Sequence, residues 1–337
     1  MSGATPVTLL TGFLGAGKTT LLARLLARPD LRDTAVLINE FGAVGLDHLL
    51  VEAVEGEVVL MRGGCVCCSI RGDLKAALLG LHDRRRRGLV PAFRRVVIET
   101  TGLADPGPAL ATLVADPVLR HAFAPAGTVT VVDAVNGAAT LDTCDEAVRQ
   151  VAAADRIVLT KTDLAAPETV AGVAARLARL NPVAPVRRLA LGTDPEAALI
   201  LDPAAILPGR FRAEAEPVPH AGITAVLLES GPVDWVRFGL WLSMLLHRHG
   251  ARILRLKGLV AVEGVATPVV IQGVQHLIHP PLHLAAWPDG RPGTRLVAIV
   301  RDLDTALLRR SFAAFTGRPA GLPEGVVNET CLDPSGS

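Results

Sequence analysis

Residues 12–19, Gly-Phe-Leu-Gly-Ala-Gly-Lys-Thr, constrain this 337-residue chain more than any other stretch. They fit the pattern G-x-x-x-x-G-K-[ST] at every fixed position, and the flanks fit as well. Upstream, Pro6 to Thr11 reads as a short buried strand; downstream, Thr20 to Leu26 has helical spacing of apolar residues. A strand that turns through glycines into a helix aims successive backbone N–H groups, and the positive end of a helix dipole, at one point suited to a polyphosphate. Gly12, Gly15 and Gly17 let the backbone approach phosphate oxygens, with Ala16 and Thr20 contributing to the same cradle. Lys18 bridges the outer phosphates and Thr19 offers its hydroxyl to Mg²⁺. The chain uses Arg by default: only Lys18, Lys75, Lys161 and Lys257 are lysines, and two of these fall in nucleotide motifs.

The length suits two domains. Aromatic residues make up 3% with no Tyr, and the formal net charge is +1, so neither base stacking nor a basic footprint for nucleic acid is available. No stretch approaches 18 uninterrupted apolar residues and strand and glycine loop begin almost at once, so a cytoplasmic protein without membrane partners is expected.

Further strands deliver polar groups at their ends, where open α/β sheets place ligands. Thr34 to Ile38 ends in Asn39-Glu40-Phe41-Gly42, making Glu40 a candidate towards nucleotide or metal or else a solvated loop acid. A short strand over 57–61 precedes Arg62-Gly63-Gly64-Cys65-Val66-Cys67-Cys68 and a helix over 73–87. Arg94 to Ile98 delivers Glu99-Thr100-Thr101-Gly102, in which the acid can help hold Mg²⁺ and the Gly102 N–H can sense a terminal phosphate. Asp133, closing a strand from Thr128, is a second candidate for the Mg²⁺ acid. After the strand 156–159 comes Thr160-Lys161-Thr162-Asp163, whose carboxylate can accept from the ring N–H and amine of guanine; Ala190 to Gly192 would close that pocket. Glu40, Glu99 and Asp105 are the candidates for positioning an attacking water.

Cys65, Cys67 and Cys68 lie too close together for a disulfide framework, and three thiolates in a tight loop match Zn²⁺, Co²⁺, Ni²⁺ or Cu⁺. Buried small residues or a redox pair are the alternatives. Cys144 and Cys331 read as bystanders, and His276, His279 and His283 as a weaker second ligand group.

Alternating strands and helices predict an α/β domain over 1–205, with a doubly wound, mainly parallel sheet. A Pro-rich linker over 206–221, a smaller α+β domain over 222–320 and a flexible tail over 321–337 follow. The second domain is expected to hold strands at 223–228, 253–263, 269–274, 282–287 and 296–300, and helices at 233–247 and 305–314.

Gly12 to Thr19, Asn39 to Gly42, Gly64 to Cys68, Glu99 to Pro106 and Thr160 to Asp163 together resemble the CobW-like GTPases, relatives of the urease and hydrogenase nickel-insertion GTPases. Arg255-Leu256-Lys257-Gly258 and Gly273-Val274-Gln275-His276 resemble that family's C-terminal domain. The resemblance implies a P-loop GTPase binding Mg²⁺ and GTP, with Lys18, Glu99 and Glu40 in catalysis. It also implies Zn²⁺ or Co²⁺ at the cysteines for delivery to a client metalloprotein, and a second copy of the chain as a nucleotide-dependent partner. Thr160 departs from the Asn of many GTPases, and Ile38 and Ala43 stand where some relatives carry acids. A regulator without turnover and an ATP-dependent small-molecule kinase are the competing readings.

Overall fold

The computed structural model describes residues 4–38, 51–53, 58–61, 66–69, 74–196, 201 and 222–317. Glu40, Cys65, Cys331, the linker and the tail therefore lie outside the described residues, and only the backbone of Cys67 and Cys68 is described.

The first domain runs β1 (Thr5–Thr11), α1 (Lys18–Leu26), β2 (Thr34–Ile38), β3 (Val51–Ala53), β4 (Val58–Met61), β5 (Val66–Ser69), α2 (Leu74–Arg86), β6 (Arg95–Glu99), α3 (Pro106–Ala115), α4 (Pro117–Ala122) and β7 (Phe123–Asp133). It continues through α5 (Gly137–Thr143), α6 (Asp145–Ala153), β8 (Arg156–Thr160), α7 (Pro167–Leu180) and β9 (Val186–Arg188). The sheet order is β3-β4-β5-β2-β6-β1-β7-β8-β9, parallel from β5 to β9, with β3 and β4 added antiparallel at one edge. Central strands such as β2 and β8 are buried on both faces, which explains their unbroken apolar runs. Connections from β1 run to one side and from β7 to the other, so the glycine loop sits at the switch point, where a crevice opens at the strand ends.

The second domain holds β10 (Ile223–Ser230), α8 (Trp235–His249), β11 (Ile253–Val260), β12 (Val269–Val274), β13 (Leu277–Ile278), β14 (Leu282–His283), β15 (Thr294–Arg301) and α9 (Thr305–Thr316). Its antiparallel sheet has the order β10-β15-β11-β12-β13, with β14 also on β12. One face is covered by α8 and α9, where Trp241 meets Phe312 edge-on at 4.9 Å between ring centroids. The other face packs on α6 and α7: Ala225, Leu254 and Ile299 share a core with Val148, Val151 and Val173. Helix α6 is thus sandwiched between two sheets, with Ala147, Val148, Gln150, Val151, Ala152 and Ala153 buried.

Three expectations need correction. The cysteine segment is not a loop throughout, because Val66–Ser69 is strand β5. Strand β7 begins at Phe123, five residues early, despite Pro125 and Gly127; a register shift between Val7 and Thr8 absorbs the irregularity. The strand expected over 282–287 stops at His283, and beyond it Trp287 gives its indole N–H to the Ala266 carbonyl at 3.0 Å. Among the described residues, no helix is long and apolar enough to cross a membrane.

The two domains are bolted by a buried ionic cluster. Asp155, just before β8, pairs with Arg255 and with Lys257 (3.1 Å), both on β11, and accepts from the Thr128 N–H at 3.0 Å. Burial pushes the Asp155 carboxyl up, but the two cations more than offset this and hold it well below the usual carboxylate range. Lys257 is lowered by its own burial despite Asp155. Asp155→Ala strands both cations in the core, and denaturant unfolding should show a loss of about 3–5 kcal/mol. Replacing all three by apolar residues of similar size should recover most of it.

His279 lies beside this cluster, and its Nε2 has no hydrogen-bond partner among the described residues. Burial, reinforced by Arg255 and opposed by Asp155, lowers its pKa from 6.5 to about 4. The unfolded chain therefore binds more protons between those values, so His279's contribution is full above 6.5 and is lost as pH falls towards 4. Asp155 is outside this window because its own contribution declines only below the ordinary carboxylate pKa. His82 and His249, also lowered by burial, act in the same direction. Stability should fall by up to about 1 kcal/mol per pH unit for His279 alone between pH 6 and 5. Thermal unfolding of His279→Leu should show a shallower acid slope than wild type.

Candidate functional site

The site begins with glycine geometry. A Cβ on Gly12 would lie 2.2 Å from the Val131 carbonyl oxygen, so the loop after β1 can rest directly on β7 only with glycine there. Gly17, at φ +94°, turns the chain into α1, whose N-terminus carries no side-chain cap and no acid in its first turn. Helix N–H groups are left for an anion. Lys18 donates to the carbonyls of Gly12 (2.8 Å) and Phe13 (3.2 Å). Burial lowers its pKa, and Glu99 opposes this. Charged phosphate oxygens are stronger acceptors for that ammonium than neutral carbonyls.

Thr19 donates its hydroxyl to Glu99 Oε1 at 2.7 Å, across 80 residues of sequence. This pairing tests the expected Mg²⁺ site: an oxygen pair of a hydroxyl and a buried carboxylate, next to an anion-binding helix end, is a donor set a hard divalent ion accepts. Asp133, the other candidate acid, is used elsewhere. It pairs with Lys161 at 2.7 Å and accepts from the Val135 N–H at 2.7 Å; burial raises its pKa, but Lys161 and the local donors bring it below the ordinary value.

Thr160 resolves the departure at the base-reading loop. Its hydroxyl donates to Ala16 O at 2.7 Å and to Val132 O at 3.1 Å, tying that loop to the phosphate loop. Lys161 holds a left-handed conformation at φ +55°. Asp163 Oδ1 accepts from the Leu191 N–H at 3.2 Å, which brings the 190–192 segment beside the candidate acid. Sequence reasoning missed what secures them: Arg24 on α1 donates to Ala190 O at 3.3 Å and to Thr193 O, and Arg28 pairs with Asp194. An arginine pair spaced by four looks like a solvated helix face in sequence, so no signal pointed there.

Gly102 lies against the phosphate loop, since a Cβ there would stand 2.7 Å from the Leu14 nitrogen. Gln150, fully buried on α6, donates its amide to both Gly102 O and Ala104 O at 3.0 Å. One polar residue on the apolar face of α6 was its only sequence signal. Asp105 caps α3 through the Gly107 N–H (2.8 Å) and accepts from Gln275 Nε2 at 3.0 Å.

The cysteine strand is placed by register. Cys67 and Cys68 lie opposite Val36 and Leu37 of β2, and Ile38 is the partner of both Ser69 on β5 and Glu99 on β6. At roughly 4.8 Å per strand, the end of the cysteine strand is about 10 Å from the Glu99 backbone. The histidines do not converge: His276 meets Leu246 O, His279 lies at the domain interface and His283 is exposed on β14. Among the described residues, no three His, Cys, Asp or Glu side chains are grouped to hold a metal. Cys144 is half-buried and unbridged, packed beside the α6 core.

Residues 6–188 match the family described as CobW/HypB/UreG, nucleotide-binding domain, and residues 223–316 match the cobalamin synthesis protein cobW C-terminal domain. The chain belongs to the CobW/HypB/UreG family. Relatives include zinc chaperone YjiA of Escherichia coli, 35% identical with 91% of this chain and 97% of YjiA covered. Zinc-regulated GTPase metalloprotein activator 1 of Schizosaccharomyces pombe is 37% identical, covering 58% of this chain and 48% of its own length. The crystal structure of Zn(II)-bound YjiA GTPase from E. coli superposes with a TM-score of 0.77 at 33% identity, covering 94% of this chain and 99% of that one. This CobW-family chain therefore has the P-loop fold and the smaller C-terminal α+β domain expected from its sequence, the latter built on an antiparallel sheet.

Thr160→Val keeps the shape and removes the tether to Ala16 O. It should weaken guanine-nucleotide affinity about fivefold, the scale of one buried hydrogen bond, as read by nucleotide titration.

Proposed function

We propose that this CobW-family chain is a Mg²⁺-dependent GTPase that carries a transition-metal ion at Cys65, Cys67 and Cys68 and hands it to a client metalloprotein. Zinc is the first candidate because YjiA is named a zinc chaperone; Co²⁺ suits the same thiolates. The observation that supports the reading most is the sheet register just described: Ile38 faces both the cysteine strand and the Glu99 strand, so phosphate-dependent movement of the Glu99 segment has a short route to the thiolates.

Lys18 and the N–H groups of residues 15–19 would offset charge developing on the β,γ-bridge and γ-oxygens. Thr19 and Glu99 would hold Mg²⁺, which supplies further charge neutralisation there. Asp163, oriented by the Leu191 N–H, favours guanine over adenine because a carboxylate accepts from the guanine N–H groups. Glu40, outside the described residues, is a candidate acid for positioning water, and second copies of the chain meeting across bound nucleotide would be the expected assembly.

Steady-state phosphate release checks the reading. GTP should be hydrolysed in preference to ATP, and the rate should respond to Zn²⁺. Asp163→Asn should cut the GTP-over-ATP preference by at least about tenfold, near 1.4 kcal/mol. Absence of turnover under every metal condition would favour a nucleotide-gated regulator; equal use of ATP would favour the kinase.

A further inference from the structure

The four residues from Gly102 to Asp105 are held at both ends by side-chain amides from outside the phosphate loop. At one end, Gln150 Nε2 bonds the Gly102 and Ala104 carbonyls. Its Oε1 is buried with no hydrogen-bond partner among the described residues, and the side chain borders a cavity of about 100 Å³ beneath Phe13 and Leu14. Only the two carbonyls fix the amide, and there is space for it to follow them. At the other end, Gln275 of the second domain donates Nε2 to Asp105 Oδ2 at 3.0 Å. Gln275 adopts φ +54° in the turn between β12 and β13, and its amide stands where a side chain on residue 107 would be, 3.0 Å from that site.

The helix that carries Gln150 is tied to the second domain at both ends. It belongs to α6, sandwiched between the sheets, and Asp145 at the start of that helix pairs with Arg301 of β15 through two contacts at 2.6 and 2.7 Å. Asp155, just beyond its end, holds Arg255 and Lys257 of β11. The Gly102 N–H and carbonyl belong to adjacent planar peptide units joined at the Gly102 Cα, so drawing the N–H towards a terminal phosphate moves that Cα and, through it, the carbonyl that Gln150 holds.

We propose that Gln150 and Gln275 are positioning residues that make the C-terminal sheet the reader of the nucleotide state. The inference rests on the proposed GTP binding and adds a role for the second domain: it senses the Gly102–Asp105 segment and in return sets how readily that segment accepts the triphosphate. Linkage requires this reciprocity. The three hydrogen bonds, two to carbonyls and one to the Asp105 carboxylate, suffice at ordinary strength for about a tenfold coupling.

Gln275→Asn separates this role from plain packing. Asn tolerates the left-handed conformation better than Gln but is one methylene too short to keep the Asp105 contact. The full-length variant should have unchanged or higher thermal stability and a GDP affinity within about twofold of wild type. Its preference for a non-hydrolysable GTP analogue over GDP should change about three- to fivefold. In hydrogen exchange, the wild-type difference between the two nucleotide states at residues 253–278 should disappear in the variant. Gln150→Met should give the same two changes. Full persistence of the exchange difference in a folded Gln275→Asn protein, or its absence from wild type that binds both nucleotides, overturns the proposal. Failure of wild type to bind any guanine nucleotide overturns the GTP reading first and this one with it.

Discussion

The open N-terminus of α1 is the constraint on which the remaining structure depends. A glycine loop lying on β7 and an uncapped helix start converge on a place where only a strong anion satisfies the backbone. Several of the candidate side chains among the described residues are arranged around that place. Thr19 and Glu99 meet on one side, Thr160 ties the base-reading loop on the other, and Gly102 packs against Leu14 in front. Neutral side chains in contact with the loop fix its shape, while the charged groups, Lys18 and Glu99, remain inside the crevice and buried.

The second domain is joined to this centre by polar contacts that a simple hydrophobic interface would not need. Three acids of the first domain, Asp105, Asp145 and Asp155, each meet a donor from the C-terminal domain. Buried ion pairs contribute little net stability because desolvation offsets their attraction, but they strongly penalise misplacement. The cluster therefore fixes the relative placement of the sheets more than it strengthens their union. Apolar packing of Val148, Val151 and Leu254 supplies the adhesion.

Much of this was legible in the sequence because the motifs sit at the ends of strands whose apolar runs are unbroken. Glu99 and Asp163 follow such runs, and that strand-end position alone makes them candidates in the sequence. Features made by tertiary contact were not legible. Arg24 and Arg28 have the spacing of any exposed helix face, yet they secure the base-side loop. Asp133 had the same strand-end signal as Glu99, and only the fold reveals that Lys161 claims it. The histidine trio looked like a ligand group because sequence proximity says nothing about orientation across the β12–β13 turn. Cys67 and Cys68 read as loop residues because β5 is a four-residue strand with no alternating pattern of its own, and β2 and β4 recruit it from both sides.

The central claim is that nucleotide state governs how tightly the thiolates hold their ion, and a calorimetric titration of Zn²⁺ tests it most directly. The titration is made into nucleotide-free protein, the GDP-loaded form and the form loaded with a non-hydrolysable GTP analogue. The account predicts zinc affinities for the diphosphate and triphosphate forms that differ by about tenfold or more, equivalent to about 1.4 kcal/mol. Equal affinities in all three forms would contradict it.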